Sequence, residues 1–263
     1  MRCGALDAAR ARLVRSLAQG ARHGCGGGVR YWQLGENEWK ETPSWPPPNE
    51  EVRWYLREGG ALARGEPGDE PADAYVYDPL DPVPTVYGKT LMPTILPAGI
   101  GDQTAVEGRE DVLCYTSPAL SEPLVVNGRI RVELWASSSA VDTDFTAKLV
   151  DVSPGGYAMN LADGILRARH RESPRKRSAP LEPGQPTALT IDLWDLAHTF
   201  QPGHRLRLEV SSSNFPRFDR NTNTGNDLGK DGAGEVVRAE QRVLHDTDHP
   251  SSVVLPVATV AVP

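Results

Sequence analysis

RIRVELWA, residues 129–136, alternates without a break: Ile130, Val132, Leu134 and Ala136 point one way, Arg129, Arg131 and Glu133 the other. A period of two belongs to a β-strand with one apolar face, because successive side chains leave opposite sides of the pleat. Moving outward, the same alternation recurs in Phe145-Ala147-Leu149, in Leu166-Ala168 against Arg167-Arg169, in Leu189-Ile191-Leu193, and in Leu206-Leu208-Val210 against Arg205-Arg207-Glu209. Turn signals separate these runs: Pro154-Gly155-Gly156, Pro183-Gly184 and Pro202-Gly203. Two further runs, 236–245 and 253–260, close the series. About eight antiparallel strands at this spacing predict a mainly β fold, a two-sheet jelly-roll sandwich over residues 111–263.

The chain ahead of that region reads differently. Residues 5–19 place Leu6, Leu13 and Leu17 on one helical face, with Arg10, Arg12 and Arg15 off it, and Gly20 and Gly24 as stops, which predicts an N-terminal helix within residues 1–28. Residues 29–110 are rich in Gly and Pro, as in WPPP (45–48) and DPLDPVPT (78–85); short strand-like pieces, Val29 to Leu34 and Val52 to Arg57, interrupt the tract, which predicts an irregular, largely extended segment lying on the sandwich.

Composition narrows the class. A chain of 263 residues with 39% hydrophobic residues and a net charge of -7 has the balance of a globular protein, and the acidic balance argues against a nucleic-acid partner. The one dense basic run, Arg175-Lys176-Arg177, reads as a solvated loop. No apolar run approaches the roughly 20 residues of a membrane helix, so no membrane partner is expected. Arg and Asp interrupt the amino-terminal stretch where a secretory leader would be apolar, and the three cysteines Cys3, Cys25 and Cys114 lack metal-like spacing; both point to the cytoplasm.

Catalytic and metal motifs are weak. Ser153, in DVSPG, has Asp151 where a nucleophile elbow requires Gly and Pro154 directly after it, so it reads as a hairpin turn. His245 and His249 form an H-x3-H, but Pro250 argues against the helix that would bring both to one zinc ion. His170, His198 and His204 stand alone in sequence, and Cys114, in VLCY, reads as a small core residue. The stretch SSSNFPRFDRNTNTGND (211–227) places Asp219, Asn221 and Asn223 at the spacing of the first three ligands of an EF-hand loop. Gly225 then falls one place late and Lys230 stands where a bidentate Glu is needed. Neither a metal nor a cofactor is therefore expected. The stretch reads instead as a structural corner after a strand, built from Asn214, Phe215, Arg217, Phe218 and Asp219, with the two Phe rings as anchors. Asp142 and Asp144 read as turn caps.

Several stretches taken together resemble the carboxy-terminal half of the cocaine-esterase and X-Pro dipeptidyl-peptidase type of serine hydrolase. They are VRYWQLGENEWKETPSWPPP (29–48), YVYDPLDPVPTVYG (75–88), ELWASSSAVDTDFTAKLVDVSPGG (133–156), NLADGILRARHRES (160–173), LTIDLWDLAHTFQPGHRLRLEVSSSNFPRFDRNTNTG (189–225) and HPSSVVLPV (249–257). The resemblance implies a galactose-binding-like jelly roll that follows an α/β-hydrolase domain with a Ser-Asp-His triad. Residues 1–28 resemble the last helix of that hydrolase domain, and no triad position has a counterpart in this sequence. The chain is thus expected to be a non-catalytic β domain, truncated or split from its enzyme, whose partner is an α/β-hydrolase domain or subunit, or a second copy of itself. By the same resemblance Leu91 and Met92, in KTLMP, become candidates for the wall of an acyl pocket. The alternative is a stand-alone carbohydrate- or peptide-binding module using Trp32, Trp39, Trp45 and Trp54, residues that the resemblance equally assigns to docking.

Overall fold

The computed structural model describes residues 28–90, 94–232 and 234–259. The expected helix over residues 5–19 lies outside them, as do Leu91 and Met92. Thirteen strands are formed: β1 Val29–Gln33, β2 Glu38–Thr42, β3 Asn49–Arg57, β4 Ala61–Ala63, β5 Asp73–Tyr77, β6 Leu113–Thr116, β7 Leu124–Ser138, β8 Asp144–Val152, β9 Ala158–Arg167, β10 Thr187–Phe200, β11 Arg205–Ser211, β12 Ala239–Leu244 and β13 Ser252–Ala258. One short helix, α1 (Thr104–Glu107), lies between β5 and β6. β1 and β2 make a separate hairpin, and the other eleven strands share one hydrogen-bonded sheet in the order β5-β12-β7-β13-β3-β4-β6-β11-β8-β9, with β10 on β7. That sheet doubles over to bury one core, to which Ile130, Val132 and Leu134 of β7, Phe145 and Leu149 of β8, and Leu206 and Leu208 of β11 all contribute. The result is a β-sandwich, as the alternation of β7 and β11 predicts.

β7 is the spine. It pairs with β10 from Leu124 to Ala136 along one edge and with β13 and then β12 along the other. Where β9 crosses β10, a Cβ on Gly164 would sit 2.2 Å from the Asp192 carbonyl oxygen, so only glycine permits the approach.

Residues 29–110 do not lie on the sandwich as a separate layer. β3 pairs with β13 and with β4, β5 pairs with β12, and Trp54, Leu56, Leu62, Tyr75 and Tyr77 belong to the main core. Apart from α1, the described residues between 79 and 112 are irregular, and they cover the outer face of β8 and β11, with Val83, Val106 and Val112 as a small second core. β8 is consequently buried on both faces, Lys148 and Thr146 included.

Candidate functional site

β11 ends at Ser211, and three consecutive hydroxyls fix the chain that follows. Ser211 donates to the Asp111 carbonyl (2.6 Å), Ser212 meets the Tyr75 hydroxyl (2.9 Å), and Ser213 accepts from the Val83 amide (2.8 Å). The Phe215 amide donates to the Val83 carbonyl at 2.9 Å, and the Phe215 carbonyl accepts from the Thr85 amide at 2.6 Å. The peptide bond from Phe215 to Pro216 is cis. The backbone of Phe215 is what is held, since its ring is 41% exposed. Phe218 packs under the Arg217 guanidinium, 4.8 Å from the ring centre, and its amide closes on the Asn214 carbonyl (3.0 Å). Arg217 forms an ion pair with the buried Asp163 of β9, whose other contact here is the Asn214 side-chain amide at 3.5 Å.

Beyond Phe218 the oxygens that a calcium loop would turn inward meet arginine and backbone instead. Arg167 grips Asp144 with two bonds of 2.8 Å and reaches Asp219 at 3.2 Å. Arg169 grips Asp142 at 2.6 and 2.8 Å. Asn221 donates to both Asp142 (2.9 Å) and Asp144 (2.8 Å), tying the two ion pairs together, while its carbonyl oxygen Oδ1 accepts from the Asn223 amide. Asp142 and Asp144 are thus partners in buried ion pairs, beyond the turn-capping role their sequence suggests. Burial pushes the Asp144 carboxyl up despite the Arg167 charge.

Asp163 connects this corner to a groove. Gly88 and Gly99 exchange backbone bonds of 2.8 and 2.9 Å, closing the neck of the loop that carries residues 89–98. Gly88 has φ of 100°, which a side chain would strain, and a Cβ there would stand 3.4 Å from Arg217 and 3.5 Å from Asp163. A cavity of about 410 Å³ is lined by Lys89, Ala98 and Ile100 and by Leu161 and Asp163 of β9. Lys89 donates to the Leu193 carbonyl at 3.3 Å, and burial lowers its pKa. The next residue along β10, Trp194, is 59% exposed and held at φ of 70° by a bulge in the pairing with β7. A non-glycine residue in that region is uncommon and is held there only by its surroundings. Ile95, Ile100, Phe215 and Trp194 are all exposed, on the loop, the corner and the strand that Lys89 reaches.

The remaining candidates separate. Ser153 caps a hairpin turn with Tyr157 (3.0 Å between backbone atoms). His245 is fully buried against Asp73 (3.0 Å), whereas His249 pairs with Asp246 (3.0 Å), so the H-x3-H does not converge. His198 and His204, isolated in sequence, both bind the buried Asp151, at 2.9 and 2.7 Å; six residues in a turn bring them together, and no motif announces it. Among the described residues no three metal-capable side chains gather, and no serine or cysteine hydroxyl or thiol is hydrogen-bonded to a histidine. Burial pushes the Cys114 thiol up to about 12. Of the four tryptophans proposed for binding or docking, Trp54 is core, Trp45 is capped by Asp195 (3.0 Å), and Trp32 and Trp39 form an exposed edge-to-face pair on the β1–β2 hairpin.

The described β-sandwich carries an apolar groove and exposed aromatics, with His198, His204, His245 and His249 paired to carboxylates. Residues 27–254 match the X-Pro dipeptidyl-peptidase C-terminal non-catalytic domain, and the chain belongs to that family. It is 42% identical over 239 residues to a cocaine esterase of Rhodococcus sp. (strain MB1 Bresler), a match covering 87% of this chain and 41% of that protein. A putative serine esterase of Mycobacterium bovis is 32% identical over 79% of this chain and 36% of its own. Among solved structures, an aminopeptidase from a marine sediment archaeon, Thaumarchaeota archaeon, superposes with a TM-score of 0.80 at 32% identity, over 88% of this chain and 40% of its own. An α-amino acid ester hydrolase does so with a TM-score of 0.78 at 35% identity, over 87% and 41%. The chain therefore spans about two fifths of the length of these relatives.

Proposed function

We propose that this chain is the β domain of an acyl or X-Pro hydrolase, packing on an α/β-hydrolase domain and contributing the 88–100 loop to the wall of its pocket. The observation that carries the reading is the groove beside Asp163. It is largely apolar and is lined by Ala98, Ile100, Leu161 and Ala162, and Ile95, Phe215 and Trp194 also present exposed apolar side chains. Exposed apolar side chains grouped in this way favour a covered surface. In this reading Asn214, Phe215, Arg217, Phe218 and Asp219 form a structural corner: they hold β9 and the neck of the loop at a fixed distance, so that the wall meets the partner pre-formed.

The test is association with a separately produced α/β-hydrolase portion of the Rhodococcus relative, measured by sedimentation. The wild-type chain is expected to form a one-to-one complex, and Trp194→Glu with Ile100→Glu to weaken it at least tenfold. Equal binding by the double variant rejects this surface. A stand-alone binding module has the exposed Trp32–Trp39 pair in its favour; saturable binding of a glycan that Trp39→Ala abolishes, with no hydrolase complex, would support it instead.

A further inference from the structure

Glu209 is a buried carboxyl whose two oxygens both lack a hydrogen-bond donor in good geometry. It leaves β11 on the side opposite the main core, where the sequence alternation suggests a polar face, yet it is 2% exposed because residues 79–112 lie over it. Lys148, directly across the β8–β11 pairing, lies 3.2 Å from Oε2, but its directed bond goes to the Gln103 side-chain oxygen at 2.9 Å. The other ionisable neighbours are Glu107 of α1, Arg207 of β11, which already binds Glu107 (2.6 Å), and Cys114 of β6. A carboxylate in such surroundings is held by one shared cation and opposed by burial and by a second carboxylate.

Gln103 connects this pair to the groove. It is fully buried, its amide nitrogen donates to the Val86 carbonyl at 2.8 Å, and its backbone carbonyl accepts from Val106 of α1 at 2.9 Å. Val86 lies two residues before Gly88, the neck of the wall loop.

We propose that Glu209 is a proton latch: a proton on its buried carboxyl keeps Gln103 and α1 closed over β8 and β11, and loss of that proton loosens them together with the backbone at Val86 that Gln103 holds. Burial, the first cause, outweighs the Lys148 charge and raises the carboxyl to about 7, so the change falls between the ordinary carboxylate range and about pH 7. The direction follows from linkage. A carboxyl that ionises less readily when covered favours the covered form at low pH and loses that advantage as pH rises through its raised value. The latch is independent of whether the loop walls an acyl pocket.

Hydrogen exchange of the full chain between pH 5.5 and 8.5, corrected for the intrinsic exchange rate, reads it directly. Protection of amides in 86–90 and 101–107 is expected to fall as pH rises from 5.5 towards 7, by up to about tenfold per pH unit, and to level off above about 7, with β7 amides unchanged. Glu209→Gln is expected to fold, because glutamine mimics the protonated carboxyl, and to show no such fall. Lys148→Met is expected to move the fall to higher pH, since the carboxylate loses its cation. A wild-type chain with flat protection, a Glu209→Gln chain with an unchanged pH dependence or one that cannot fold at pH 6, or a transition that Lys148→Met does not move would each overturn the proposal.

Discussion

Arg217 is the residue on which the corner turns, because its guanidinium forms the ion pair that joins the 211–219 segment to the buried Asp163 of β9. Removing one partner of a buried ion pair leaves the other uncompensated, so Arg217→Ala is expected to cost about 3 kcal/mol in urea unfolding. Arg217→Ala with Asp163→Asn should recover part of that loss; a double variant no better than the single would show that the pair is not what holds the corner. His245 supplies a pH-dependent term. Burial alone would lower its pKa, but the hydrogen bond and charge of Asp73 outweigh it and raise the imidazole above its ordinary value. A raised folded value means stability that is fully present below about pH 6.5 and lost as pH climbs through the folded value. Thermal unfolding at pH 5.5 and 8.5 checks this: the wild type should lose more stability on going to pH 8.5 than His245→Gln does. In sequence, Phe215 and Phe218 look like equivalent anchors, yet only Phe218 is packed, while Phe215 is held through its backbone. Nothing in FPRF distinguishes them, because the difference lies in the bonds from Val83 and Thr85, more than a hundred residues away.

At the level of elements, alternation was a reliable guide wherever one face met the main core and the other met solvent, as in β7. It misleads for β8 and β11, whose second faces are covered by residues 79–112: Lys148 and Glu209 occupy polar positions of the pattern and are buried all the same. That covering is non-local, and periodicity along one strand carries no record of it. β3 is legible as a strand-like piece, but its place in the sheet is not, and β5 is hidden altogether, since the Pro and Gly around them signal loops while their pairing partners, β13 and β12, come at the far end of the chain. The groove wall on β9, Asn160 to Asp163, has no local signal. Gly164 gives the element-scale test. Because an added Cβ would meet backbone and not a flexible side chain, Gly164→Ala is expected to destabilise by about 3 kcal/mol, whereas alanine at the open position Gly68 should change the unfolding midpoint little.

The described residues form a β-sandwich of the X-Pro dipeptidyl-peptidase C-terminal non-catalytic family with an apolar groove between residues 88–100 and β9. Under the proposed function such a domain would act on catalysis through shape, by restricting what a neighbouring active site can hold. The decisive measurement is hydrolysis of p-nitrophenyl esters and of Xaa-Pro anilides by the purified chain and by a chimera in which it replaces the matching portion of the Rhodococcus relative. The account predicts no turnover above background for the chain alone, turnover by the chimera, and a shift of at least threefold in kcat/KM between short and bulky acyl groups when Leu91 and Met92 become Ala. Hydrolysis by the chain alone that survives repurification, or a chimera whose acyl preference ignores Leu91 and Met92, would contradict it.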